Sequence, residues 1–241
     1  MFKKYWFSNL QIIVKEMILV MENLEIICDA SLRTMPRSNR VFTCSGALCI
    51  NTGDEDYIIS PDSTNNRGEL LAIYLGCKLA LRLRNTEPNR YSQISIYSDS
   101  QFAIFGLTRW MADWLKSMNS QGIMYGTNGM PVKNQELFKM IITFCTINRL
   151  EVHFYNQRGH TKVNSTTNLA KANQQFFNAN GFFLKPEDIY KISFYNGIID
   201  NNTRNKLYEI DESNYTPMFN HPDAKPILRY VIPENYKNYI R

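Results

Sequence analysis

Thr64-Asn65-Asn66-Arg67-Gly68-Glu69-Leu70-Leu71-Ala72 opens a helix and sets one acid, Glu69, near its start. From Asn66 to Arg84 the apolar residues Leu70, Ile73, Tyr74, Cys77 and Leu81 recur at helical spacing. Leu71, Leu75 and Leu79 widen that face, which predicts a central, largely buried helix closed by Asn85 and Pro88. Upstream, Glu25-Ile26-Ile27-Cys28-Asp29 reads as a strand that delivers Asp29 at its end. Downstream, Ile94 to Ser98 reads as a second strand and delivers Asp99. Three acids at the ends of buried elements repel one another, and they make sense if a divalent cation sits between them.

The remaining elements fall around this trio. Leu24 to Asp29, Val41 to Ile50 and a strand through Tyr57-Ile58-Ile59 form an antiparallel meander, with a polar loop from Ser31 to Arg40. Two short helices, Ser100 to Leu107 and Arg109 to Met118, precede a Gly-, Ser- and Asn-rich loop from Asn119 to Met130. A helix from Val132 to Asn148, a strand from Leu150 to Tyr155 and a helix from Thr166 to Ala179 follow. The order predicts an α/β fold, a mixed five-stranded sheet flanked by helices, with residues 24–181 as the domain. In such sheets ligands bind outside the carboxyl ends of parallel strands, where Asp29 and Asp99 are expected. Residues 1–23 read as an N-terminal extension, and residues 182–241, poorly periodic and rich in Tyr, Phe, Asn and Pro, as a C-terminal appendage.

The net charge of +5 tilts the chain weakly toward a polyanionic partner and excludes histone-like basicity. Five scattered cysteines without a CxxC pair argue for buried free thiols in a reducing, cytoplasmic compartment rather than a zinc site or disulfide framework. Lys15, Glu16 and Glu22 interrupt the apolar N-terminus, so its longest uncharged run is too short to cross a bilayer. A monomer is the default expectation.

Each acid also has a plain structural reading. Asp29 suits a strand-end turn, Asp99 suits a helix cap, and Glu69 suits the partner of an Asn66 cap. Taken together on one sheet edge, those readings are less convincing than a cation site. Magnesium prefers carboxylate oxygens, water and phosphate. Two such ions about 4 Å apart clamp a phosphodiester, one activating water and the other steadying the leaving oxygen.

Four motifs carry a resemblance: Cys28-Asp29-Ala30-Ser31, Thr64 to Glu69, Ser98-Asp99-Ser100-Gln101 and Arg158-Gly159-His160-Thr161. In this order and spacing the chain resembles type 1 ribonuclease H, most of all the bacterial form, from Leu24 to Asn180. Thr108-Arg109-Trp110, Asp113-Trp114 and Pro131-Val132-Lys133-Asn134 extend it. The resemblance implies an endonuclease that cuts the RNA strand of RNA–DNA hybrids, such as replication primers, with two Mg²⁺ ions or Mn²⁺ in their place. It implies that Asp29, Glu69 and Asp99 bind metal and that His160 assists proton transfer or product release. It also implies that Ser31, Thr64, Asn65, Asn66, Gln101 and Lys133 meet the hybrid, and that Trp110 and Trp114 either face the DNA strand or are plain core residues. Amide side chains suit the 2′-hydroxyl, which both donates and accepts.

The pattern breaks at the family's fourth acid, where this chain has Asn168. An amide offers one neutral oxygen to a cation and no charge, so the second ion binds more weakly and the chemistry slows. A native Asn168 implies a slow nuclease or a non-catalytic hybrid-binding protein, whereas an introduced Asp→Asn change implies a substrate trap. Another nuclease of the same fold, acting on DNA junctions or single strands, is the second alternative. The stretch from Trp110 to Lys133 is poor in basic residues, which leaves Arg33, Arg37, Arg40, Arg158 and Lys162 as candidate phosphate contacts.

Overall fold

The first strand is longer than its periodicity predicts, and its continuation places the site. The computed structural model describes residues 21–61, 63–210 and 234–241. β1 runs Glu22–Thr34, so Asp29 lies inside the strand rather than at its end. The expected loop from Ser31 is strand as far as Thr34, because β2 (Val41–Cys49) stays paired with it antiparallel through Thr34↔Val41. On its other edge, β1 pairs in parallel with β4 (Tyr91–Ser98) only as far as Ile27↔Tyr97. Asp29 therefore sits where the parallel ladder opens, the position that the strand-end rule describes. β3 (Glu55–Pro61) and β5 (His153–Asn156) complete a mixed sheet of order β3-β2-β1-β4-β5.

Helix α1 (Asn65–Thr86) covers one face of this sheet. Thr64 caps it by accepting from the Arg67 amide at 3.4 Å, and its buried Leu70, Ile73, Cys77 and Leu79 join Leu24, Ile26, Cys28 and Ile96 in one core. The two short helices expected next form one helical run: α2 (Gln101–Phe105), a π-helical turn (Gly106–Trp110) and α3 (Met111–Lys116). α4 (Gln135–Ile147) packs on α1 and starts later than expected, after Asn134 in a left-handed conformation. All five cysteines are buried free thiols, as expected, and Cys77 and Cys145 bring their sulfurs to 3.7 Å.

The second face departs most from expectation. α5 (Thr166–Asn180) covers it beside a helix that the sequence does not announce, α6 (Pro186–Tyr208). Ile189, Ile192 and Ile199 of α6 are buried with Ile27, Leu48, Tyr97 and Phe176. Each such side chain contributes about 1.5–3 kcal/mol by leaving water. The segment expected as an appendage is thus, in its described part, packed into the domain. The chain end is too: Tyr236 and Ile240 enter the first core. Val152 donates to the Tyr239 carbonyl at 2.9 Å and accepts from Arg241 at 3.0 Å, a parallel bridge just before β5, which itself runs 153–156 against the expected 150–155. The expected N-terminal extension lies, for residues 1–20, outside the described residues. No helix among the described residues is long and apolar enough to cross a membrane.

Candidate active site

Asp29, Glu69 and Asp99 converge. One carboxylate oxygen from each lies within 4.8 Å of the others. The structural alternatives for these acids are taken by other residues. Asp29 is mid-strand, with its Oδ1 accepting from the Ala30 amide at 2.8 Å. Thr64, not Asn66, caps α1, so Glu69 is no capping partner. Ser100, not Asp99, caps α2, accepting from the Ala103 amide at 3.3 Å.

The cluster is costly as it stands. Glu69 is 4% exposed, and its Oε2 has no hydrogen-bond partner while Oε1 accepts from Asn65 at 3.4 Å. Burial pushes its carboxyl well above the ordinary range, and the charges of Asp29 and Asp99 push it further. Asp29 is raised in the same way by burial, then by Asp99 and Asp200. Asp99 is raised mainly by burial. Buried oxygens that lack donors and face one another suit a hard divalent cation, which supplies positive charge and accepts oxygen ligands.

The loop after β5 closes over Asp99. A Cβ on Gly159 would lie 2.0 Å from Asp99 Oδ2, so only glycine lets the backbone pass there. His160 follows with φ +50°, a conformation uncommon outside glycine, and its Nδ1 lies 3.4 Å from Asp200 Oδ2. Asn168 sits in the first turn of α5, with its amide bonded to Ser165 Oγ at 3.3 Å.

The candidate hybrid contacts divide. Thr64, Asn65 and Asn66 are exposed at the start of α1, and Gln101 at the start of α2, near Glu69 and Asp99 in sequence, with Asn65 donating to Glu69 Oε1 at 3.4 Å. Lys133 is exposed. Trp110 is 39% exposed, but Trp114 is buried with its ring 5.1 Å from Phe138, so it is a core residue and offers no stacking face. The Ser31 hydroxyl is engaged by Thr203 at 2.9 Å. Arg33 bonds the Leu207 carbonyl at 2.9 Å and lies over the Tyr208 ring, which removes it from the candidate phosphate contacts. Asp200, Arg204, Gly46 and the role of Gly159 escape sequence reasoning. Asp200 lies beyond the place where the motif puts a fourth acid, in a segment with weak periodicity.

A family model described as RNase H matches residues 21–175. The chain belongs to the ribonuclease H family. It is 35% identical over 118 residues to a ribonuclease H of Stutzerimonas stutzeri, 48% of this chain and 68% of that protein. It is 33% identical over 100 residues to that of Bordetella avium, 42% of this chain and 56% of that protein. Among solved structures it is similar to LC9-RNase H1, described as a type 1 RNase H with the type 2 active-site motif. That similarity has TM-score 0.42 and 18% identity, covering 82% of this chain and 92% of the other. The family match ends before α6.

Proposed function

We propose that this ribonuclease H family chain hydrolyses the RNA strand of RNA–DNA hybrids, leaving a 3′-hydroxyl and a 5′-phosphate. The observation that carries the reading is the buried convergence of Asp29, Glu69 and Asp99 with an oxygen of Glu69 unpartnered. These three, with a neutral oxygen from Asn168, would hold Mg²⁺ or Mn²⁺, which when bound would activate water and offset charge on the scissile phosphate. Thr64, Asn65, Asn66 and Gln101 present hydroxyl and amide groups at the rim, fitted to the 2′-hydroxyls of the RNA strand. His160, exposed on the loop over Asp99, would assist proton transfer or product release. Arg37, Lys162 and Lys133 are exposed, and Arg158 half-exposed, for phosphate contact.

The test is a cleavage panel of RNA–DNA hybrid, duplex DNA, duplex RNA and branched DNA, each with Mg²⁺ and with Mn²⁺. Cleavage confined to the RNA of the hybrid supports the reading. Binding to the hybrid with no cleavage under either ion would make the chain a non-catalytic hybrid binder. Preference for branched or single-stranded DNA would assign it to another nuclease of this fold.

A further inference from the structure

We propose that Asp200, carried by α6 outside the family-matching region, is the fourth carboxylate of this site and supplies the charge that Asn168 lacks. The proposal rests on the reading of Asp29, Glu69 and Asp99 as cation ligands and adds a residue to that set.

α6 is laid along β1 by a row of contacts. Lys191 pairs with Glu25 at 2.6 Å, Thr203 bonds Ser31 at 2.9 Å, and the Leu207 carbonyl accepts from Arg33 at 2.9 Å. The partners advance along both elements together, so helix and strand run the same way. Their lengths agree: from Lys191 to Leu207 a helix rises about 24 Å, and from Glu25 to Arg33 a strand rises about 26 Å. Asn196 adds a buried bond to Gln157 at 2.6 Å, just past β5.

The helix comes closest at the site itself. Gly46 is the β2 residue paired with Asp29, so both stand on the same face of the sheet. A Cβ on Gly46 would meet Thr203 Cγ2 at 2.7 Å and Ile199 Cδ1 at 2.9 Å. The turn from Ile199 to Thr203 therefore rests on the Asp29–Gly46 pair, and Asp200 lies within that turn. Asp200 stands outside the set whose oxygens lie within 4.8 Å of one another, and it meets the site through His160, whose neighbour Gly159 passes over Asp99. The Asp200 side chain is 15% exposed and touches His160.

At present both Asp200 oxygens accept from Arg204 Nη2 at 2.8 Å. Arg204 is 49% exposed, so its guanidinium can turn to water and release the carboxylate at little cost. A second acid of α6, Asp188, pairs with Lys191 near Glu25, far along the helix from the cluster. The independent sign that the cluster awaits a ligand is the buried, unpartnered Glu69 Oε2.

The experiment titrates Mn²⁺ alone into the full chain by calorimetry and follows thermal unfolding with and without Mn²⁺. It compares wild type, Asp200→Asn, Asp188→Asn and Arg204→Gln, with hybrid cleavage measured in parallel. Asp200→Asn is expected to weaken Mn²⁺ binding by about tenfold or more, on the scale seen when a metal site loses a supporting group. It is also expected to raise the unfolding temperature without metal, because one repelling charge is gone. Asp188→Asn should leave the isotherm unchanged, and Arg204→Gln should keep or tighten it. An Asp200→Asn isotherm that overlays wild type overturns the proposal, as does loss of binding in Arg204→Gln. If wild type binds Mn²⁺ through Asp200 but cleaves no hybrid, the nuclease reading fails and this site assignment stands.

Discussion

Asp29→Asn removes one charge from the buried cluster while keeping the oxygen that accepts from the Ala30 amide at 2.8 Å. Carboxylate oxygens within 4.8 Å of one another repel by about 3.5 kcal/mol per ionised pair at an effective dielectric of 20. Asp29 faces two such partners, but its carboxyl and Glu69 are both raised and so relieve part of the repulsion by taking up protons. A net gain of roughly 2–4 kcal/mol remains in the metal-free chain, which is a rise of roughly 4–16 °C in unfolding temperature. The sign with pH follows from the raised values. Between the ordinary carboxylate range and the raised folded ones, the folded state holds more protons than the unfolded. The stability of the metal-free chain from these groups therefore falls as pH rises through that window, and the penalty is complete above it. Asp29→Asn should flatten that fall, and saturating Mg²⁺ should flatten it in wild type. Scanning calorimetry from mildly acidic to neutral pH, with Mg²⁺ or with chelator, reads all of this. A variant that is less stable than wild type without metal, or one that Mg²⁺ still stabilises equally, would refute the repelling-cluster account.

Gly159→Ala forces a Cβ onto Asp99 Oδ2, so cleavage should drop about 100-fold, as for a misplacement near 1 Å, while circular dichroism stays native. Asn168→Asp should raise the cleavage rate with Mg²⁺, and equal rates for both proteins would exclude position 168 as a ligand. Hybrid affinity should fall about 100-fold between about 50 and about 200 mM salt, given about four phosphate contacts. Fluorescence anisotropy measures this, and a flat salt response would refute the assignment of Arg37, Lys133, Arg158 and Lys162. Trp110→Ala should weaken hybrid binding by about 1–3 kcal/mol if the ring stacks on a base. Trp114→Ala should instead cost stability, by about 3–5 kcal/mol, because that ring is buried against Phe138.

The sequence by itself determined the sheet and its first three acids. The apolar face of α1, the strand leading to Asp29 and the strand leading to Asp99 are local patterns, and each is set by burial periodicity within a few residues. The tertiary structure decided where β1 ends, because only pairing with β2 carries the strand past Asp29 to Thr34. It decided that Trp114 belongs to the core and that Arg33 belongs to the end of α6. It also decided the existence of α6 as a face of the domain. Three of its seven buried positions are polar (Ser193, Asn196 and Thr203), so the apolar period is broken, while Tyr190, Phe194 and Tyr208 are exposed on its outer side. Asn196 and Thr203 are buried because Gln157, Ser31 and the Asp200 carbonyl satisfy them. Gln157 and Ser31 lie far away in the chain, and no local rule connects them to α6. The turn that carries Asp200 settles on the sheet for the same reason: Gly46, more than 150 residues earlier, has no side chain to hold Ile199 and Thr203 away.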